Sequence, residues 1–194
     1  MKKCFVLLCA FALLNSASAQ SLKVPQPSPT QYIKQDFGLG TIEVNYSRPG
    51  KKNRKVYGDL VPFGTLWRTG ANSATTISFS DEVTIGGVKV PAGKYGLLTI
   101  PDANEWAIII SGQTDVTSSE DYDASKDIIR VKSKTRNLAE AVETFTIQIA
   151  EVAATKCDVQ LLWENTLVSL PVSTDIDTKV MKQIENTLIK DNRP

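Results

Sequence analysis

From residue 41 to residue 172 apolar and polar side chains alternate along the chain, with the period of two that puts every second residue on one face of a β-strand. In residues 41–46, Ile42, Val44 and Tyr46 share a face, and in residues 74–80 Thr75, Ile77 and Phe79 do so. Val83-Thr84-Ile85 and Val88-Lys89-Val90 flank Gly86-Gly87, a pair free to adopt the positive φ of a two-residue hairpin turn. Pro91-Ala92-Gly93 turns the chain into a strand over 94–100, and Pro101 to Asn104 turns it again. Residues 105–110 are apolar enough to lie centrally in a sheet, and further strands are expected at 128–134, 144–152, 157–163 and 166–172. Strands spaced this regularly predict an all-β fold, an antiparallel β-sandwich or jelly-roll-like barrel.

The two ends break the pattern. Ile176, Val180, Ile184 and Leu188 recur every fourth residue behind Thr174-Asp175-Ile176-Asp177, which resembles a capping box, so a C-terminal amphipathic helix is expected over 174–190. It would pack on the sandwich or on a partner. At the other end Lys2 and Lys3 precede an apolar run from Cys4 to Leu14 and the small residues Ala17-Ser18-Ala19, the pattern of an export signal over residues 1–19 cleaved near Ala19. Cys9 lacks the small residues that precede a lipid-modified cysteine, so the expected mature protein is soluble and periplasmic or secreted. Pro25, Pro27 and Pro29 make residues 20–30 an extended leader, and residues 31–194 are expected to form a single domain.

Composition narrows the chemistry. Of the 22 Lys and Arg two lie in the signal, which leaves the rest balanced against 21 Asp and Glu and argues against nucleic acid or an anionic membrane as the main partner. Cleavage also removes two of the three cysteines, leaving Cys157 without an internal disulfide partner. Stability then rests on a core, which a domain of this size supplies by burying about 70% of its unfolded surface. The chain has no histidine at all. That removes Ser-His-Asp and Cys-His nucleophile systems and histidine-relayed acid-base catalysis, each of which needs an imidazole titrating near neutrality. Ser-x-x-Lys, Gly-x-Ser-x-Gly and phosphate-loop motifs are absent too, and Gly38-Leu39-Gly40 carries Glu43 where a dinucleotide fingerprint needs glycine.

The richest candidate chemistry lies between Tyr46 and Asn72, where arginines, aromatics, an amide, glycines and prolines crowd a stretch too irregular for one helix or strand. Arg48, Lys51, Lys52, Arg54 and Lys55 form a basic run with no acid between Glu43 and Asp59, suited to an anion or to a solvated loop. Trp67, Arg68 and Asn72 could form a sugar platform, the ring stacking while the polar groups bond hydroxyls. Equally, Trp67 could be core and Arg68 paired with a buried carboxylate. Glu120, Asp121, Asp123 and Asp127 supply oxygens for calcium, but Lys126 and Lys132 stand where an EF-hand needs glycine and glutamate, and no metal site is assigned. Glu43, Glu105 and Glu164 are strand-associated carboxylates from which a hydrolytic pair could be drawn. Trp106 and Trp163 are expected in the core, and Cys157, with no histidine to activate it, is expected to be an inert buried thiol.

Several of these elements occur together in a recognisable order. Tyr46-Ser47-Arg48-Pro49, Tyr57-Gly58-Asp59-Leu60-Val61-Pro62-Phe63-Gly64, Trp67-Arg68-Thr69-Gly70-Ala71-Asn72, Pro91-Ala92-Gly93-Lys94-Tyr95, Trp106 and Trp163-Glu164 make residues 28–172 resemble the bacterial family known as domain of unknown function 2911. The resemblance implies the periplasmic or secreted setting of Gram-negative exported proteins and no particular activity. The favoured expectation is therefore an exported, non-catalytic binding module, without cofactor, for a small polar or anionic ligand such as a glycan, with Arg48, Trp67, Arg68 and Asn72 as its ligand groups. A histidine-free glycan hydrolase using two carboxylates and a structural protein binding another envelope component are the alternatives.

Overall fold

Ten strands form two antiparallel sheets in the computed structural model, which describes residues 24–191. The strands are β1 (Thr30–Phe37), β2 (Gly40–Ser47), β3 (Thr76–Phe79), β4 (Val83–Ile85), β5 (Val88–Val90), β6 (Gly93–Ile100), β7 (Glu105–Ser111), β8 (Asp127–Lys134), β9 (Arg136–Ala150) and β10 (Lys156–Ser173). One sheet runs β1-β2-β3-β6-β7-β8 and the other β5-β4-β10-β9, so the architecture is a sandwich and not a closed barrel. The export signal expected at residues 1–19, and the leader as far as residue 23, lie outside the described residues. No described helix is long and apolar enough to cross a membrane.

Alternation builds the core as expected. Ile42, Val44 and Tyr46 of β2, Ile77 and Phe79 of β3, and Trp106, Ile108 and Ile110 of β7 meet Phe145 and Ile147 of β9 and Val159, Leu161 and Trp163 of β10. Gly86 and Gly87 take φ of 54° and 82° and close the β4–β5 hairpin, pairing Ile85 with Val88. A smaller cluster of Leu98, Ile109 and Val116 covers the outer face of β6 and β7 beneath the connection between β7 and β8.

β10 is one continuous strand yet doubles back on itself. Eighteen residues in a straight strand would span about 60 Å, but the Thr174 amide donates to the Thr155 carbonyl oxygen at 2.9 Å. The reversal falls at Glu164, whose φ is 53°. The two expected strands, 157–163 and 166–172, are thus the arms of one folded ribbon, and both send apolar side chains inward.

Three expectations change at the edges. Thr30, placed in the leader by its sequence, is the first residue of β1, an edge strand paired along its whole length with β2. β9 begins at Arg136, eight residues before the expected start at Thr144, because its early residues pair with the second arm of β10 through Thr166↔Asn137 and Leu167↔Arg136. The C-terminal helix, α1 (Ile176–Asp191), is capped by Asp175, whose carboxylate accepts the Thr178 amide at 3.1 Å. Thr174 instead donates to the Glu82 carbonyl oxygen. From residue 181 to residue 188 the helix side chains are exposed, Met181 and Ile184 among them.

The sheets are also joined by a polar contact inside the core. The Tyr46 hydroxyl accepts the Ile147 amide at 2.9 Å and donates to Gln31 Oε1 at 2.8 Å, linking β2, β9 and β1. Tyr46→Phe leaves that buried amide without a partner, and a loss of about 1 to 3 kcal/mol is expected in urea denaturation. An unchanged stability would show that the hydroxyl contributes nothing to joining the sheets.

Candidate functional site

β2 and β3 pair in register, yet residues 48–75 separate them in sequence. This excursion first runs along β9. The Phe145 amide donates to the Pro49 carbonyl oxygen at 2.9 Å, and the Lys51 amide to the Glu143 carbonyl oxygen at 2.7 Å. Lys52 and Asn53 then take positive φ to reverse the chain, and Arg54 braces the reversal by donating to the carbonyl oxygens of Lys51 (3.0 Å) and Gly50 (2.8 Å). A tight loop follows, with the Val61 amide on the Val56 carbonyl oxygen at 2.9 Å and with Val56, Tyr57 and Val61 driven into the core. Finally Trp67 bonds β6 in both directions, its amide to the Thr99 oxygen at 2.7 Å and the Thr99 amide back at 3.0 Å.

The return to β3 is fixed by buried hydroxyls. Thr75 Oγ1 donates to the Thr69 carbonyl oxygen at 2.7 Å, and Thr69 Oγ1 lies 3.1 Å from Thr99 Oγ1. Both buried hydroxyls therefore have partners, and they tie this part of the loop to β6 and to its own backbone.

A cleft of about 320 Å³ opens beside this segment. Trp67 and Trp163 form its aromatic wall, Leu60, Val61 and Pro62 add apolar surface, and Ser28, Arg54, Thr65 and Arg68 are its polar side chains. No Asp or Glu lines it, so its charge is positive. Trp67 serves the core and the cleft together. Its ring stacks on Trp163 with centroids 5.9 Å apart and planes at 20°, meets Phe145 edge-on at 5.0 Å, and its indole N–H donates to the Gly70 carbonyl oxygen at 2.9 Å.

The four expected ligand groups separate into two pairs. Trp67 and Arg68 line the cleft. Arg68 is half-buried, donates once, to the Asn72 carbonyl oxygen at 3.1 Å, and has no carboxylate partner among the described residues. Arg48 and Asn72 are not lining residues. Arg48 turns to β9, where Nε donates to the Phe145 oxygen at 3.1 Å and Nη2 to Thr146 Oγ1 at 2.8 Å. Asn72 is exposed and ties down the leader through the Ser28 carbonyl oxygen at 3.1 Å. Arg54 and Thr65 were not among the expected groups. Arg54 was visible only as one member of the basic run, and Trp163, at 1% exposure, reads in the sequence as core alone.

The carboxylates are dispersed. Glu43 pairs with Lys34 at 2.9 Å, Glu105 with Lys132 at 3.2 Å and Glu164 with Lys51 at 3.8 Å. β3 and β6 stand between the strands of Glu43 and Glu105, a lateral separation of about 14 Å from strand spacing alone. That is wider than the roughly 5 to 9.5 Å of glycosidase pairs, and Glu164 lies in the other sheet. The Lys34 ammonium, then the Tyr32 hydroxyl, hold the Glu43 carboxyl below its ordinary value, which leaves it no proton to give. Tyr57 is pushed up by burial and then by the nearby Glu164 charge, so its phenol stays protonated.

The acidic stretch over 115–127 organises its own turns. Asp121 accepts from the Thr117 and Ser118 hydroxyls, Asp123 from the Ser125 amide and hydroxyl, and Asp127 from the Tyr122 hydroxyl at 2.6 Å and Arg130 at 3.0 Å. Among the described residues no three His, Cys, Asp or Glu stand together where they could hold a metal ion. A larger concavity of about 640 Å³ lies at the open end of the β10 ribbon, beside Cys157, Lys156 and Asp158. Burial, and then the Asp158 charge, push the Cys157 thiol up to about 11, so it is protonated at neutral pH and poorly nucleophilic.

Fold and cleft together define an antiparallel sandwich with an arginine-and-tryptophan cleft at one end. The chain belongs to the family described as "Protein of unknown function (DUF2911)", whose model matches residues 28–172, from the bound end of the leader through the second arm of β10. No curated protein and no solved structure matches it.

The geometry separates the roles of the two neighbours in the cleft. Arg68→Lys should change stability by less than about 0.5 kcal/mol, since it removes no buried ion pair. Trp67→Ala should cost about 3 kcal/mol or more through lost aromatic packing. Chemical denaturation measures both, and a large loss in the arginine variant would mean that Arg68 holds the fold.

Proposed function

We propose that the protein is an exported, non-catalytic binding module that takes a small anionic ligand, such as an acidic sugar, into the Trp67–Arg68 cleft. The observation that carries this reading is Arg68 itself, a guanidinium in a concave, acid-free site with no carboxylate partner among the described residues. Its planar fork matches carboxylate, sulfate or phosphate, and the tryptophan beside it offers an apolar face to a sugar ring. Arg54 adds a second positive charge at the rim. Dispersal of the strand-associated glutamates into separate ion pairs favours binding over hydrolysis. Export is supported by Lys2 and Lys3, the apolar run behind them and Ala17-Ser18-Ala19, which together suit delivery to the periplasm or beyond.

A thermal-shift screen of residues 20–194 against galacturonate, N-acetylglucosamine 6-sulfate and uncharged galactose tests the reading. An acidic probe is expected to raise the melting temperature, by linkage to the folded state, and galactose to have little effect. Arg68→Ala should abolish the shift while leaving the unliganded melting temperature in place. No shift with either acidic probe, or a shift that survives Arg68→Ala, would overturn the assignment. Cell fractionation of the full chain should recover a product beginning at Gln20 outside the cytoplasm.

A further inference from the structure

The outer face of the six-stranded sheet carries a second concave surface, made of cross-strand rows. The register sets Tyr32 opposite Asn45 and Asn45 opposite Thr76, and in the next row Lys34, Glu43, Ser78 and Lys94 follow one another across β1, β2, β3 and β6. Gly96 continues the Thr76 row, and any Cβ there would collide with the Gln113 carbonyl oxygen. The connection after β7 can therefore lie directly on the strand, and it raises Thr114, Asp115 and Thr117 as a wall. Two basins of about 410 and 160 Å³ result, continuous through their shared residues Asn45, Thr76 and Lys94.

Four polar side chains of this groove are uncommitted. The side chains of Asn45, Thr76, Ser78 and Lys94 make no hydrogen bond or ion pair among the described residues, although Thr76 is only 7% exposed. A sheet face turned merely to water carries long charged side chains. Beside its charged residues this one sets the buried Thr76 and half-buried Ser78 hydroxyls and the exposed Asn45 amide below a wall, with a tyrosine ring 58% exposed at one side. Its charges also balance, since Glu43 offsets Lys34 at 2.9 Å while Lys94 faces the groove together with Asp115. Unpaired donors and acceptors, an exposed aromatic ring and balanced charge match an uncharged, polyhydroxylated chain.

We propose that this groove is a second binding site, for a short neutral oligosaccharide laid across β1, β2, β3 and β6. Tyr32 is the stacking platform, Asn45, Thr76 and Ser78 bond sugar hydroxyls, and Lys94 donates at the far side. The groove shares no lining residue with the Arg68 cleft, so the two sites are separable by mutation.

Calorimetric titration of residues 20–194 with cellohexaose, chitohexaose and maltohexaose tests the site. At least one is expected to bind, with Tyr32→Ala and Asn45→Ala each weakening it tenfold or more at an unchanged melting temperature. Tyr32→Phe, which keeps the ring, should stay within threefold of the parent. The shift produced by an acidic probe in the Arg68 cleft should persist in all three variants. Absence of binding by all three hexasaccharides, or binding that survives both alanine variants, would overturn the proposal.

Discussion

A sandwich leaves the gap between its sheets open at each end, and any backbone that plugs the gap carries amide and carbonyl groups into a place where water cannot serve them. Residues 48–75 meet this constraint by bonding to both sheets in turn, through Pro49 and Lys51 on β9 and through Trp67 on β6. The plug brings its own apolar payload in Val56, Tyr57 and Val61. Because its two attachments lie on different sheets, it fixes their separation at this end, and the aromatic group of Tyr57, Trp67, Trp106, Phe145 and Trp163 fills the space so defined. The cleft is what remains beside the plug, so its walls inherit the rigidity of the core.

Most strands were legible because their buried faces are apolar without interruption, as in Ile42-Val44-Tyr46. β1 was not, since the residues that face inward from this edge strand include Gln31 and Gln35 as well as Ile33 and Phe37, and half-covered positions tolerate amides. Early β9 reads Leu-Ala-Glu-Ala-Val, strong helix formers with apolar residues four apart, and only pairing with β10 holds it extended. The reversal of β10 depends on a glutamate in the left-handed region, a position that turn rules assign to glycine or asparagine.

The site was legible as a region but not as a set of side chains. Sequence proximity groups Arg48 with Arg68, yet Arg48 follows directly on β2 and turns toward β9, whereas Arg68 follows a residue paired to β6. The open question about Trp67 had no single answer, because an indole can pack on Trp163 with one face and still line a cleft with the rest of its ring. The outer groove left no trace in the alternation. It depends on register across four strands and on one glycine that lets a distant loop approach, and neither is encoded locally.

A lysine near its start anchors the C-terminal helix. Lys179 Nζ donates to Asp81 Oδ2, to the Glu82 carbonyl oxygen and to Thr174 Oγ1, within 2.7 to 3.1 Å, and so pins the first turns of α1 to the connection between β3 and β4. The family match stops at residue 172, short of that pin. Helix and sandwich therefore meet through a charged contact at the rim of the sheets, and a pull along α1 would load that contact.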